Sequence, residues 1–219
     1  MLNTEKIFSL AKDIESAIIK TDDTGIDIVP DGVIALQKML ELCRQDIKEQ
    51  AIKEKGGNEL LRRTKAAQKT LSKQSVRKLG AHMKDGYQMF TDAGGHIGFA
   101  LYKPLDGLPQ VDNGYDVLWR IETSIKSPLE LTEINLSEVE LCLKEHKSSA
   151  EYKLCKTNKP AAYFMAGEKA YNPEYILTAY EILGGNVDFY QQNDSLASPA
   201  YLESENGKAI LAPILLRKG

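Results

Sequence analysis

Residues 169–217 read in order as a strand end, a helix with both of its ends marked and a three-strand finish. Asn172 is suited to cap a helix, Pro173 stands at the first helical position where its missing N–H costs nothing, and Glu174 complements the positive helix end. Tyr175, Ile176, Ala179, Ile182 and Leu183 then share one face, and Gly184-Gly185 supplies a left-handed stop. Strands are predicted at Val187–Tyr190, at Pro199–Leu202 and over Ala209–Leu216. The Glu205-Asn206-Gly207 turn joins the last two.

Charge is distributed unevenly. From Asn58 to Lys84 the chain carries Arg62, Arg63, Lys65, Lys69, Lys73, Arg77, Lys78 and Lys84 against the single acid Glu59, so the formal net charge of −3 leaves the remainder clearly acidic. At 100° per residue, Arg62, Lys65, Lys69, Lys73 and Arg77 form one stripe of a helix, with Leu60, Leu61, Ala67, Leu71 and Leu79 opposite. One face packs and the other is positive. A solvated surface and a phosphate-contacting surface both have this pattern.

Upstream, Thr4 predicts a helix to about Lys20 and Asp31 a second to about Lys55, with a turn at Asp22-Asp23-Thr24-Gly25. In the second helix Val33, Leu36, Leu40, Cys43 and Ile47 repeat as in a helical hairpin or an ordinary core face. Gly56-Gly57 then breaks the pattern, which places a boundary between a helical extension over 1–57 and a domain over 58–219. In the middle of the chain, strands are predicted at Tyr87–Thr91 and Ile97–Lys103. A further strand is predicted at Tyr115–Thr123, where Tyr115, Val117, Trp119 and Ile121 alternate with Asp116, Leu118, Arg120 and Glu122. Leu136–His146 is ambiguous: Ser137 with Glu140 makes a capping box that favours a helix, while Glu138–Leu143 also suits a strand.

Two phrases carry a family resemblance. Tyr171-Asn172-Pro173-Glu174-Tyr175-Ile176-Leu177-Thr178-Ala179-Tyr180 and the closing Ala212-Pro213-Ile214-Leu215-Leu216 resemble the end of the last domain of the bacterial sliding clamp, the β subunit of the replicative polymerase. There, F-N-x-x-Y-L-L-x-x-L precedes a final M-P-M-R-L. Thr91-Asp92-Ala93-Gly94-Gly95-His96-Ile97 is similar to the clamp's T-D-G-H-R-L, with two extra residues and isoleucine where the arginine stands. Continuing through Leu108-Pro109, it resembles small clamp-domain proteins of phages and mobile elements, and the likeness covers roughly residues 60–217.

The resemblance implies an α+β, DNA-clamp-like domain, an antiparallel sheet with helices on one face, behind an N-terminal helical extension. It implies a non-enzymatic accessory of DNA replication or repair whose basic stripe contacts duplex DNA. It also implies a peptide groove for polymerases or other clamp-binding proteins, formed by Thr91, Asp92, Gly95, His96, Ile97, Ala212, Pro213, Ile214 and Leu215. A clamp ring contains six domains and this chain has length for one, so it must form a homo-oligomer, borrow domains, or not encircle DNA. The alternatives are an interaction protein that modulates the replisome without topological binding, and a simple basic-helix DNA-binding regulator.

Catalytic signatures are missing: the chain has no G-x-S-x-G, no G-x-x-x-x-G-K-[ST] and no H-E-x-x-H, and its three histidines are scattered. Cys43, Cys142 and Cys155 have neither metal-ligand nor paired spacing, so no metal, no cofactor and a reduced, cytoplasmic setting are expected. No apolar run approaches the ~20 residues that would span a bilayer, and no signal peptide is recognisable, so no membrane association is expected.

Overall fold

The computed structural model describes residue 11 and residues 30–72, 80–126, 128–155 and 161–216, and the expected first helix and its turn fall outside these apart from Ala11. The chain separates into two compact units, Met1–Leu61 and Arg62–Gly219. Helix α1, Pro30–Ser72, runs through both and is interrupted at Gly56 (φ −145°, ψ 17°) and Gly57 (φ 70°, ψ −164°), neither of which is helical. In the first unit Cys43 and Ile52 are buried while Ile47 is 45% exposed. Cys43 and Ile52 lie half a turn apart around the helix, so no single apolar seam runs down it.

The second unit is built on a seven-stranded antiparallel sheet. Its strands are β1 His82–Lys84, β2 Tyr87–Thr91, β3 Ile97–Leu101, β4 Glu130–Leu131, β7 Asp188–Gln191, β8 Ala200–Ser204 and β9 Gly207–Leu211, in the spatial order β1-β2-β3-β9-β8-β7-β4. A separate hairpin holds β5 Phe164–Ala166 and β6 Lys169–Tyr171. The remaining helices are α2 Val117–Ser124, α3 Leu136–Ser148, α4 Ala150–Leu154 and α5 Pro173–Leu183. Among the described residues, no helix is long and apolar enough to cross a membrane.

Two halves repeat one plan. The end of α1 precedes β1, β2 and β3, α5 precedes β7, β8 and β9, and the halves join where β3 pairs antiparallel with β9. Across that seam one row of side chains spans five strands, Phe90 to Phe99 to Ala209 to Leu202 to Phe189. Phe90 stacks on Phe99 at 5.0 Å, and Phe189 meets Tyr171 edge-on at 5.5 Å. Helix α5 packs on β3, β8 and β9 with Ile176, Ala179, Ile182 and Leu183 fully buried. The last turns of α1 lie beside it: Arg63 Nε donates to Ile182 O at 2.8 Å. Gln68 reaches Gly107 O, next to the Leu105 backbone that is bound on both sides by Gln88.

Three expectations are corrected. Residues Tyr115–Thr123 do not form a strand. Asp116 accepts from Trp119 N and caps a helix, whose Val117 packs with Met89, Ala100 and Ile210 while Leu118 and Ile121 flank it. Trp119, inward in a strand, is 59% exposed. Second, the sheet is not covered by helices on one face alone. Helix α2 lies on the opposite face from α5, which is why all five residues of β3 are buried. Third, α3 is a helix as expected, but its cap is Asn135, with Glu138 as the reciprocal partner at 2.9 Å, in place of Ser137 with Glu140.

Two of the hairpins depend on glycine, for different reasons. In the β1–β2 turn Asp85 (φ 51°) and Gly86 (φ 81°) are both left-handed, the geometry that fits strand twist. At Gly207 a Cβ would stand 2.7 Å from Ala100 O and 2.8 Å from Leu101 Cα. Gly207→Ala should therefore cost about 2 kcal/mol or more by forcing the backbone of β3 aside. Gly86→Ala, with nothing within 4 Å, should cost only the backbone strain of about 1 kcal/mol. Urea unfolding of the two variants checks the order.

The α2 cap gives a pH-dependent expectation. The Lys84 ammonium, and then the Trp119 N–H, hold the Asp116 carboxyl below its ordinary value of 3.8. A depressed folded value stabilises above the ordinary pKa and is lost as pH falls through the folded one. Asp116→Asn, which keeps a capping oxygen, should be less stable than wild type at about pH 7 and converge on it as the pH falls below 3.8 through the depressed folded value. Chemical unfolding across that range measures this.

Candidate functional site

Asp92 organises the turn between β2 and β3. Its Oδ1 accepts from Ile97 N at 3.0 Å and its Oδ2 from Tyr175 OH at 3.1 Å, and His96 Nδ1 lies 3.3 Å from Oδ2. Thr91 Oγ1 closes the turn on Ile97 O at 2.7 Å, and Arg120 of α2 donates to Gly95 O. A Cβ on Gly94 would stand 2.2 Å from the His96 ring, so the ring has its position only because Gly94 is bare. That ring stacks on Tyr175 with centroids 5.9 Å apart.

Burial first, and then the carboxylate of Asp92, push the Tyr175 phenol up to about 12. It is therefore a neutral donor near pH 7. A cleft of about 280 Å³ opens here between the turn and the two helices, with Lys69 and Thr70 on one wall and Tyr175, Thr178 and Glu181 on the other.

Of the expected groove residues, Thr91 and Ile97 are buried, whereas His96 is exposed and Gly95 intermediate. Register brings the turn to the last segment: Ala212 N donates to His96 O at 2.8 Å, and Ile214 N donates to Ala170 O at 2.7 Å. Pro213, which has no N–H, occupies the position between those bonds. Ala212, Pro213 and Ile214 are half-buried and Leu215 is 65% exposed. The two segments are thus adjacent through the backbone. The cleft occupied by Asp92 and His96, however, is completed by the helices and contains none of Ala212 to Leu215.

The basic run, not the stripe, is divided by burial. Arg62, Lys65 and Lys69 are exposed, while Lys73 and Arg77 lie outside the described residues. Arg62 approaches Glu181 of α5 at 3.9 Å. Arg63 and Lys84, also counted in the basic run, are structural: Arg63 is buried against α5 and Lys84 pairs with Asp116. On α5, Glu174 pairs with Lys147 of α3 at 2.7 Å.

Sequence reasoning missed Tyr175 and Arg120 as parts of the site. The periodicity places Tyr175 on an apolar face, yet a part-buried tyrosine needs a partner for its hydroxyl, and Asp92 is the carboxylate in the motif that can supply one. Arg120 carries no such signal, because the alternation of its segment points to a strand.

Asp92→Ala should cost about 2–3 kcal/mol, since it strands the Ile97 N–H and the Tyr175 hydroxyl, and Tyr175→Phe about 1 kcal/mol. Equilibrium unfolding tests the pair, and equal losses would detach Tyr175 from the turn. No family model, no curated protein and no solved structure matches the chain.

Proposed function

We propose that this chain is a clamp-like accessory protein of DNA replication or repair, contacting duplex phosphates through Arg62, Lys65 and Lys69 without reading base sequence. The observation that carries the reading is the doubled plan of a helix followed by three antiparallel strands, joined at β3–β9, with the two helices side by side and exposed cations on one of them. Together with the Thr91–Ile97 and Ala212–Leu216 phrases, it supports a clamp-like domain. Cations on a helix face bind phosphate by counterion release, which gives affinity without sequence preference.

Lys65→Glu with Lys69→Glu should lower duplex affinity by on the order of tenfold to a hundredfold near 0.1 M salt, equally on unrelated sequences, and flatten the log K against log salt slope by about two. Arg63 is left intact because of its buried bond to α5. Fluorescence anisotropy across a salt series measures both quantities. Unchanged affinity and slope would make the stripe an ordinary solvated face.

One observation favours a second reading, a replisome-modulating interaction protein that does not encircle DNA. Glu181 stands beside Arg62 and α3 packs along α5, so the positive face is narrower than the run of basic residues suggests. Circular and linear duplexes separate the readings. A ring is retained on closed circles and slides off open ends, whereas ordinary contacts do not distinguish them.

A further inference from the structure

At the far end of the sheet from the β1 edge lies a second and larger cleft, of about 670 Å³, between the β4 edge and the β5–β6 hairpin. Its two lips are strands. Leu131 of β4 is 62% exposed on one and Met165 of β5 is 45% exposed on the other. Gln191 fixes their separation: its Oε1 accepts from Thr132 Oγ1 at 3.1 Å, and its Nε2 donates to Ala166 O at 3.0 Å and to Tyr171 OH at 3.1 Å. Because Gln191 is 6% exposed, this link is shielded from water and sets the spacing of the two lips.

Among the described residues, the charge in the cleft has one sign: Glu133, Glu138 and Asp188 are exposed around it, and no described lysine, arginine or histidine lines it. Tyr180 borders the same space. Burial first, and then the charge of Asp188, push its phenol up to about 12, so it stays neutral near pH 7. Between the carboxylates, Phe164, Ile134 and Val187 add apolar side chains to a lining whose exposed surface is otherwise largely polar.

We propose that this cleft docks an extended peptide segment of another protein in which basic and apolar residues alternate. Three features select that occupant. Alternate side chains of an extended strand point to opposite sides, so one set can lie against Phe164, Ile134 and Val187 while the other meets the acidic rim. Strand edges on both lips suit a chain in the same conformation. The negative charge of the described lining favours a cationic partner and disfavours an acidic one. The site lies apart from the Thr91–Ile97 turn and from the basic stripe, so it stands or falls independently of DNA binding.

The test uses the full chain and a labelled peptide alternating lysine with valine, followed by anisotropy. Its glutamate-for-lysine counterpart and free spermidine serve as comparisons. Saturable binding of the cationic peptide is expected, with the acidic peptide at least about tenfold weaker. Glu133→Lys with Asp188→Lys should reduce affinity by about tenfold or more, and the exposed Glu122→Lys control on α2 should stay within about twofold. Met165→Ser should weaken binding without altering its salt dependence, and Glu133→Lys alone serves if the double variant shows an altered circular dichroism spectrum. Failure of the cationic peptide to saturate, equal binding of the acidic peptide, or indifference to the rim substitutions would overturn the proposal. So would spermidine displacing the peptide at equal concentration, which would reduce the site to unspecific charge. Sedimentation without peptide provides the last arm, and a dimer abolished by the double variant would make a second copy of the chain the occupant instead.

Discussion

The antiparallel pairing of β3 with β9 is the constraint on which the second unit depends. These strands are distant in sequence, and nothing local brings them together, so the pairing must be held by what it buries. The row from Phe90 through Phe99, Ala209 and Leu202 to Phe189 crosses five strands on one face, and β3 is buried on both. A slip of one residue would turn the whole row to the other face and bring Met89, Ala100 and Ile210 beneath α5. Gly207 reinforces this register sterically, because its position against Ala100 O and Leu101 admits no side chain. Hydrophobic burial thus supplies the driving force, and the close approach at Gly207 selects one register.

Helix α5 is then fastened at both ends by groups from other elements. Near its start, Asn172 caps Glu174 N at 2.9 Å, and Tyr175 reaches across to Asp92. At its end the last carbonyls would otherwise lack partners. Arg63 donates to Ile182 O, while Asn206 Nδ2 at 2.7 Å and Ser204 Oγ at 3.2 Å donate to Leu183 O. A guanidinium at a helix C-terminus also meets the negative end of the helix dipole, which helps to offset its burial. The turn carrying His96, the hairpin carrying Asn206 and the end of α1 are in this way coupled through one helix.

How legible this was in the sequence depended on whether the signal was local. The bounds of α5, its Asn172 cap and its Gly184 stop follow from nearest neighbours, and the structure has them at the expected places. Strands β2, β3 and β8 were legible from composition and turns for the same reason. The α2 segment failed because Val117, Trp119 and Ile121 satisfy a period of two while Val117, Leu118, Ile121 and Ile125 satisfy a helical one, and eight residues are too few for periodicity to choose. The Asp116 cap decided it. Burial of Arg63 was not legible at all: a basic residue in a basic run gives no sign that a helix end formed about 120 positions later will accept its proton. The candidate site shows the same division, since the contacts of Asp92 within its own turn are local and its bond to Tyr175 is not.

That division bears on how the positive face should be understood. Two adjacent arginines have opposite fates, because helical geometry points Arg63 toward α5 and Arg62 about 100° away toward solvent. Counting basic residues therefore overstates the charge available to a phosphate. It also understates how well the available part is placed, since Arg63 fixes the rotation of α1 about its own axis and with it the direction in which Lys65 and Lys69 face. Glu181 stands beside Arg62 and also lines the cleft at Lys69, so both described ends of the stripe face an acid, and the positive character of this face is set by how α1 seats on α5 rather than by the number of basic residues in the run.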